Sequence, residues 1–364
     1  MQQVATRGVT RTRAAAYLAL TKPRIIELLL VTTLPTMVVA EGGLPAVGLM
    51  AWTLLGGALA AGGANALNMV VDRDIDAVMA RTRNRPLVTG ELRAGAALRF
   101  ALVLEVAAFF LLWGAVNLLS AALAVGATLF YVLVYTLWLK RTSTRNIVIG
   151  GAAGAVPVLV GWAAVRGELD WAPVILFAVI FYWTPPHFWA LAVRYREDYA
   201  AAEVPMLPAV VGVRATAVRI LGYSLALWAL TLVFGPVAHM GALYFGAALL
   251  LGGVFTWYAV QLLRSATPER AMRLFTWSIS YITLLFGAMA ADPLVVDGRE
   301  PPVQPPGLGA GGRRASLVDL GLGARRRSGL GDGHGGGGPY WGVGRLFRTR
   351  TARAGRAPWP RRAG

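Results

Sequence analysis

Three oxygen-bearing side chains, Asn68, Asp72 and Asp76, recur every four residues in the stretch NMVVDRDIDAVMARTRNRP, from Asn68 to Pro86. On a continued helix each step of four advances only about 40° past a full turn, so the three project in nearly one direction. A carboxamide carbonyl and two carboxylates on one face make a hard-oxygen cluster suited to a divalent cation such as Mg²⁺. Arg81 and Arg85 follow at i and i+4, and Lys140, Arg141 and Arg145 come from a later polar stretch. Acids alone would suit many ions. Acids beside this many cations suit a polyanion bridged through a metal, and a diphosphate fits that description.

A second polar stretch, RYREDYAAAEVPMLP, carries Asp198, which lies 198 − 72 = 126 residues after Asp72. Two similar halves, each delivering one acidic loop, would set Asp72 and Asp198 opposite each other over a central cavity. Two independent solvated loops would look much the same, since the halves do not visibly match outside these loops. Just upstream, TPPHFW holds His187. A lone histidine in an apolar segment more often serves structure than binding, yet imidazole can ligate a metal or carry a proton near neutral pH. Pro185 and Pro186 should break the helix there, leaving backbone groups that need a protein or cavity partner. Tyr182, Trp183, Phe188 and Trp189 could wall a flat ligand or serve as ordinary packing, and Tyr195 and Tyr199 flank Asp198. Glu27 and Glu105, set just inside apolar runs, suggest buried partners for arginines.

The elements that must position these groups are set by composition. Of 364 residues, 56% are hydrophobic and only 15% charged, against roughly a quarter charged in a soluble domain. The charges are clumped, leaving apolar runs of about 20 residues, the length that crosses a bilayer core. The fold class is therefore all-α, a polytopic membrane protein. Nine spans are expected around a central cavity, at 25–40, 46–70, 95–115, 118–139, 147–165, 171–193, 215–236, 241–263 and 271–291. Basic residues crowd the N-terminal segment and the loops after the second, fourth, sixth and eighth spans, while the intervening loops are short and nearly charge-balanced. The bias places the N-terminus and the acidic loops in the cytoplasm of a cell (plasma) membrane protein. Thr21, Lys22, Pro23 and Arg24 run straight into the first span with no cleavage site behind it, so a secretory leader is not expected.

Three segments follow: a cytoplasmic N-terminal segment at 1–22, a nine-helix membrane domain at 23–292, and a tail at 293–364. From Gly298 onward thirteen arginines face three acids, 13 − 3 = 10 of the formal net charge of +17. The tail is rich in Gly, Pro and Arg without apolar periodicity and is expected to be disordered. Nucleic acid is not expected as a partner, because the basic excess sits in a tail without a recognisable binding fold. The absence of cysteine removes disulfides, thiolate metal sites and thiol nucleophiles.

The pattern Asn68-x-x-x-Asp72-x-x-x-Asp76 followed by RTRNRP resembles the first aspartate motif of the UbiA superfamily of intramembrane prenyltransferases. LTKPRIIELLL (Leu20–Leu30), YTLWLKRTSTRNIVIGGAAGAVPVLVGW (Tyr135–Trp162), WTPPHFWALAVRYREDYAAAEVPMLP (Trp183–Pro208) and LFTWSISYITLLF (Leu274–Phe286) resemble the branch that farnesylates haem. Similarity spans about Leu20 to Asp292. There is one departure from the phenolic-acid branches, a single aspartate, Asp198, in the second motif. There is another from the haem branch, Glu203 where a small residue, usually glycine, is expected; it could be an extra oxygen ligand or a solvated loop acid, and the loop acid is the favoured reading.

The resemblance implies transfer of farnesyl from farnesyl diphosphate to a vinyl group of haem B, with water added, to give haem O and diphosphate. It implies Mg²⁺ held by Asn68, Asp72, Asp76 and Asp198. Arg81, Arg85, Lys140 and Arg145 would bind the diphosphate, and His187, Trp183, Phe188 and Tyr195 the acceptor. The lipid bilayer is the medium, and a haem A synthase is a candidate partner. Alternatives are a quinone precursor or chlorin as acceptor and, from another class, a secondary transporter; acids gathered at helix ends on one side speak against transport.

Overall fold

A computed structural model describes residues 12–295, and every regular element among them is a helix. The tail lies outside the described residues from 296 onward, as do residues 1–11 of the N-terminal segment.

Helix α1 (Arg13–Thr21) starts at Thr12, whose hydroxyl accepts from the Ala15 amide at 3.3 Å. It ends at Lys22, held in the left-handed region with φ 53°. Pro23 follows as the first residue of α2 (Pro23–Glu41), where its missing N–H costs nothing. Among the described residues eight long helices are apolar enough to cross a membrane: α3 (Val47–Val71), α5 (Ala94–Ala115), α6 (Leu118–Thr142), α7 (Asn146–Arg166), α8 (Trp171–Arg194), α11 (Val213–Val237), α12 (Ala242–Arg264) and α13 (Pro268–Val295). They match eight of the nine expected spans within a few residues at each end; the first expected span, 25–40, coincides with α2, which is not among these eight. In lipid no water can satisfy a backbone amide, so an apolar run this long has helix as its one stable form.

Three short helices lie off the spans: α4 (Arg73–Val78), α9 (Arg196–Ala201) and α10 (Leu207–Val211). They carry the two acidic loops. In the membrane part, small residues allow close approach. Gly62 and Gly63 of α3 meet Leu104 and Glu105 of α5, and Gly161 of α7 lies against the Thr33 carbonyl of α2. Helix α8 packs between α7, α11 and α13, while α2 bridges α3, α7 and α13.

Two local features depart from expectation. Pro185 and Pro186 do not break α8, which runs unbroken from Trp171 to Arg194. A proline φ near −65° is already helical, so the element can continue through both rings although each forgoes one amide hydrogen bond. Second, Phe130–Leu139 within α6 winds as a π-helix. Its wider turn is fixed partly by Thr136, whose hydroxyl donates to the Tyr131 carbonyl five residues back at 2.9 Å. Such wide turns re-aim side chains and often sit at functional sites.

Candidate active site

Helix α3 ends at Asp72 (φ −87°, ψ 8°) and α4 starts one residue later. The helical hydrogen bonds nevertheless continue, from the Asp72 amide to the Asn68 carbonyl at 2.9 Å and from the Asp76 amide to the Asp72 carbonyl at 2.8 Å. All three motif side chains are buried at this junction. A buried acid is stable only when paired or hydrogen-bonded, and the neighbours supply both.

Asp72, 0% exposed, is the centre of the network. Its Oδ2 accepts from Asn68 Nδ2 at 2.6 Å and pairs with Lys140 Nζ from the end of α6. Asn68 Nδ2 also donates to Thr136 Oγ1 at 3.2 Å, and Asn68 Oδ1 accepts from Lys22 Nζ at 2.9 Å. The amide orientation is dictated by its partners, since an ammonium can only donate and a carboxylate only accept. Asn68 is therefore a relay between Lys22 and Asp72. Asp76 Oδ2 pairs with Arg85 Nη1 at 2.5 Å, and the Asp76 carbonyl accepts from Thr82 Oγ1 at 3.0 Å. Outside, Arg141 grips Asp74 with two hydrogen bonds of 2.7 Å, which hold the Asp74 carboxyl down at about 2. Burial, helped by the nearby Arg85 and Lys140 charges, lowers the Lys22 ammonium to about 7.

Of the four cations expected to bind diphosphate, Lys140 and Arg85 sit on the acids. Arg81 points to the second loop, its guanidinium 5.5 Å from the Tyr195 ring centroid and its charge beside Tyr199. Arg145 is exposed at the start of α7 and makes no ion pair with these acids among the described residues. Arg141, read from sequence among the nearby cations, joins the cluster, as do Lys22 and Thr136, which were not singled out for it from sequence. The stretch LTKPRIIELLL contained the first of them, but nothing in its spacing ties residue 22 to residue 68.

Asp198 lies half-buried in the first turn of α9. The two acidic loops share an apolar floor, where Ile75 and Met79 of the first pack in one cluster with Tyr199, Val204 and Met206 of the second. Asp198 does not join the ion pairs of Asp72 and Asp76. Glu203 is exposed with φ 53°, a left-handed backbone of the kind glycine adopts freely.

The residues suit Mg²⁺ in one specific respect. Asp72 Oδ1 is buried without a hydrogen bond, with Arg141 Nη2 3.7 Å away. A sealed carboxylate oxygen with open lone pairs is a ready ligand for a hard cation. Among the described residues no three His, Cys, Asp or Glu side chains converge. The ion would therefore rest on one or two carboxylates, with diphosphate oxygens filling its shell, the usual habit of Mg²⁺.

Three of the four acceptor residues gather on α8. Trp183 stacks on His187 with ring centroids 4.4 Å apart, Phe275 of α13 stacks on the opposite side at 4.6 Å, and Phe188 meets His187 edge-on at 5.1 Å. Tyr195 is placed apart, beneath Arg81. Glu27 is exposed. Glu105 accepts from Thr128 Oγ1 at 3.1 Å and has no arginine partner among the described residues, so the expected buried pairs do not form. An apolar groove of about 370 Å³ opens between α6, α7 and α8, lined among others by Leu123, Phe130, Val156 and Phe177.

The profile of the UbiA prenyltransferase family matches residues 29–285. The chain is similar to the protoheme IX farnesyltransferase of Clavibacter sepedonicus, 54% identical over 291 residues covering 79% of this chain and 95% of that one. It is similar to the protein of that name from Frankia casuarinae, 52% identical over 286 residues, 78% and 99% of the two chains. Among solved structures it resembles digeranylgeranylglyceryl phosphate synthase, with a TM-score of 0.66, 16% identity and coverage of 78% and 99%. It also resembles a UbiA homologue of Archaeoglobus fulgidus bound to GPP and Mg²⁺, with a TM-score of 0.55, 17% identity and coverage of 75% and 99%.

Proposed function

This chain belongs to the UbiA prenyltransferase family, and from that premise we propose that it transfers farnesyl from farnesyl diphosphate to a vinyl group of haem B. The C1–oxygen bond of the donor breaks and a carbon–carbon bond forms to the outer vinyl carbon. Water adds to the inner carbon and loses a proton, giving haem O and diphosphate. The names of the relatives, at more than half identity over nearly their whole length, support this choice of substrates.

The observation that carries the reading is the buried, cation-lined carboxylate of Asp72. Ionising an allylic diphosphate requires stabilising the charge that builds on the leaving group, and preorganised cations do this best where water is excluded. Lys140, Arg85 and Arg141 stand at the acids already, and Lys22 reaches them through Asn68. Asp72, with Asp76, would hold one Mg²⁺ and Asp198 a second. When bound, the ion supplies Lewis-acid stabilisation of the diphosphate oxygens. The apolar helices around the site keep water from the allylic carbon until transfer is complete. His187, Trp183 and Phe188 would receive the tetrapyrrole, while Arg81, bridging to Tyr195 and Tyr199, ties the second loop to the first. The acidic loops face the cytoplasm of the plasma membrane in this reading, as the basic-loop bias requires.

The test is extraction and mass analysis of haems from cells that lack haem O synthesis and then express this chain. Haem O should accumulate, and chelation of Mg²⁺ should stop transfer in isolated membranes. Asp72→Ala and Asp198→Ala should each abolish transfer while the protein still inserts. Near-normal turnover in either variant would remove that residue from the site.

A further inference from the structure

The stretch LFTWSISYITLLF has no task in the chemistry above, yet one of its residues holds the acceptor wall together. Ser278 of α13 is fully buried. Its backbone carbonyl accepts from Trp183 Nε1 at 2.9 Å. Its hydroxyl oxygen lies 2.6 Å from His187 Nδ1 and 2.6 Å from the Phe275 carbonyl, three residues back on the same helix.

These contacts constrain the imidazole. A hydroxyl has one proton to give, and a serine inside a helix commonly gives it to a carbonyl of the preceding turn. The Phe275 carbonyl can only accept. With its proton committed there, the Ser278 oxygen meets His187 as an acceptor, so the histidine must bring the proton on Nδ1. Neutral imidazole then carries its lone pair on Nε2, which has no hydrogen-bond partner among the described residues. The ring cannot easily escape this arrangement. Trp183 and Phe275 clamp its two faces, and a flipped ring would turn a C–H to Ser278 in a buried site.

We propose that Ser278 is a positioning residue, fixing His187 as the Nδ1–H tautomer so that the Nε2 lone pair is presented to the acceptor. The inference rests on the reading that His187 faces the acceptor. It assigns Ser278 no contact with substrate; it acts through His187, while the Trp183 bond to the same residue keeps α8 and α13 in register.

The test uses the full chain in lipid nanodiscs with ¹⁵N-labelled histidine. The chain has three histidines, and loss of one set of signals in His187→Gln assigns the ring. Nδ1 should give the signal of a protonated nitrogen and Nε2 that of a bare one. Ser278→Ala should mix the two tautomers, and Ser278→Thr, which keeps the hydroxyl, should restore the single form. In farnesyl transfer, Ser278→Ala should lower kcat about tenfold, the scale of one neutral hydrogen bond, with KM for farnesyl diphosphate unchanged and most of the rate regained in Ser278→Thr. A protonated Nε2 in the parent protein, an unchanged tautomer in Ser278→Ala, or full activity in Ser278→Ala would each overturn the proposal. If the parent protein farnesylates no haem, the proposed function fails by itself, and the nitrogen signals still report the tautomer.

Discussion

Replacing Lys140 with methionine keeps the side chain's length but removes the charge that balances Asp72. The Asp72 side chain is 0% exposed and that of Lys140 15%, so the pair lies in a poorly solvated place. Breaking such a pair from one side costs about 3–5 kcal/mol, because it leaves an uncompensated buried charge. Two neighbours soften the loss: Asn68 still donates at 2.6 Å and Arg141 Nη2 remains at 3.7 Å. The expected destabilisation is therefore about 2–3 kcal/mol. At roughly 1.5 °C per kcal/mol, since the unfolding entropy of about 2.1 cal/mol/K per residue grows with chain length, Tm in detergent should fall by about 3–5 °C. Adding Asp72→Asn removes the stranded charge, and Lys140→Met/Asp72→Asn should recover most of the lost Tm. Farnesyl transfer should be lost in both, since recovery of fold does not restore the cation or the carboxylate. A single variant as stable as the parent, or a double variant no more stable than the single, would refute a desolvated ion pair as the core of the site.

Gly161→Ala would drive a methyl to 2.8 Å from the Thr33 carbonyl; backbone cannot yield as a side chain can, so α2 and α7 should separate at a cost of about 1–3 kcal/mol, read as a lower Tm. Glu203→Gly relieves a left-handed backbone at φ 53° and should stabilise by up to about 1 kcal/mol, with transfer unchanged; lost activity would instead place Glu203 in the site. Asp74 sits at about 2 through its Arg141 hydrogen bonds, below its unfolded value, so its contribution is present above about pH 4 and fades as pH falls through 2. Because the Asp74 side chain is 60% exposed, Asp74→Asn should cost under about 1 kcal/mol at neutral pH, and parent and variant should converge in acid.

The span pattern was legible because bilayer length and backbone satisfaction leave an apolar 20-residue run one choice of structure. Asn68, Asp72 and Asp76 were legible as a single face for a similar reason: helical periodicity is local, and it survives the small break at Asp72. The basic residues were only half legible. Arg85 and Lys140 sit on the acids, whereas Arg145 turns outward at the start of α7 and Arg81 spans to Tyr195 and Tyr199. Loop membership tells which side of the membrane a cation occupies and says nothing of where its side chain is aimed. Pro185 and Pro186 misled because a helix wedged between α7, α11 and α13 tolerates the loss of two amide bonds.

By itself the sequence determined what local spacing and solvent preference can fix: the eight long apolar helices, one acid face, and basic loops biased to one side. The tertiary structure alone decided which distant groups meet. Lys22 reaches Asn68 across 46 residues because a left-handed turn at residue 22 lays the start of α2 beside the end of α3. Lys140 reaches Asp72 across 68 residues at the end of a π-wound segment that also brings Thr136 to Asn68. Ser278 meets His187 across 91 residues through the packing of α8 on α13. Such pairings depend on how helices cross, which is set by side-chain packing over the whole bundle and leaves no periodic trace along the chain.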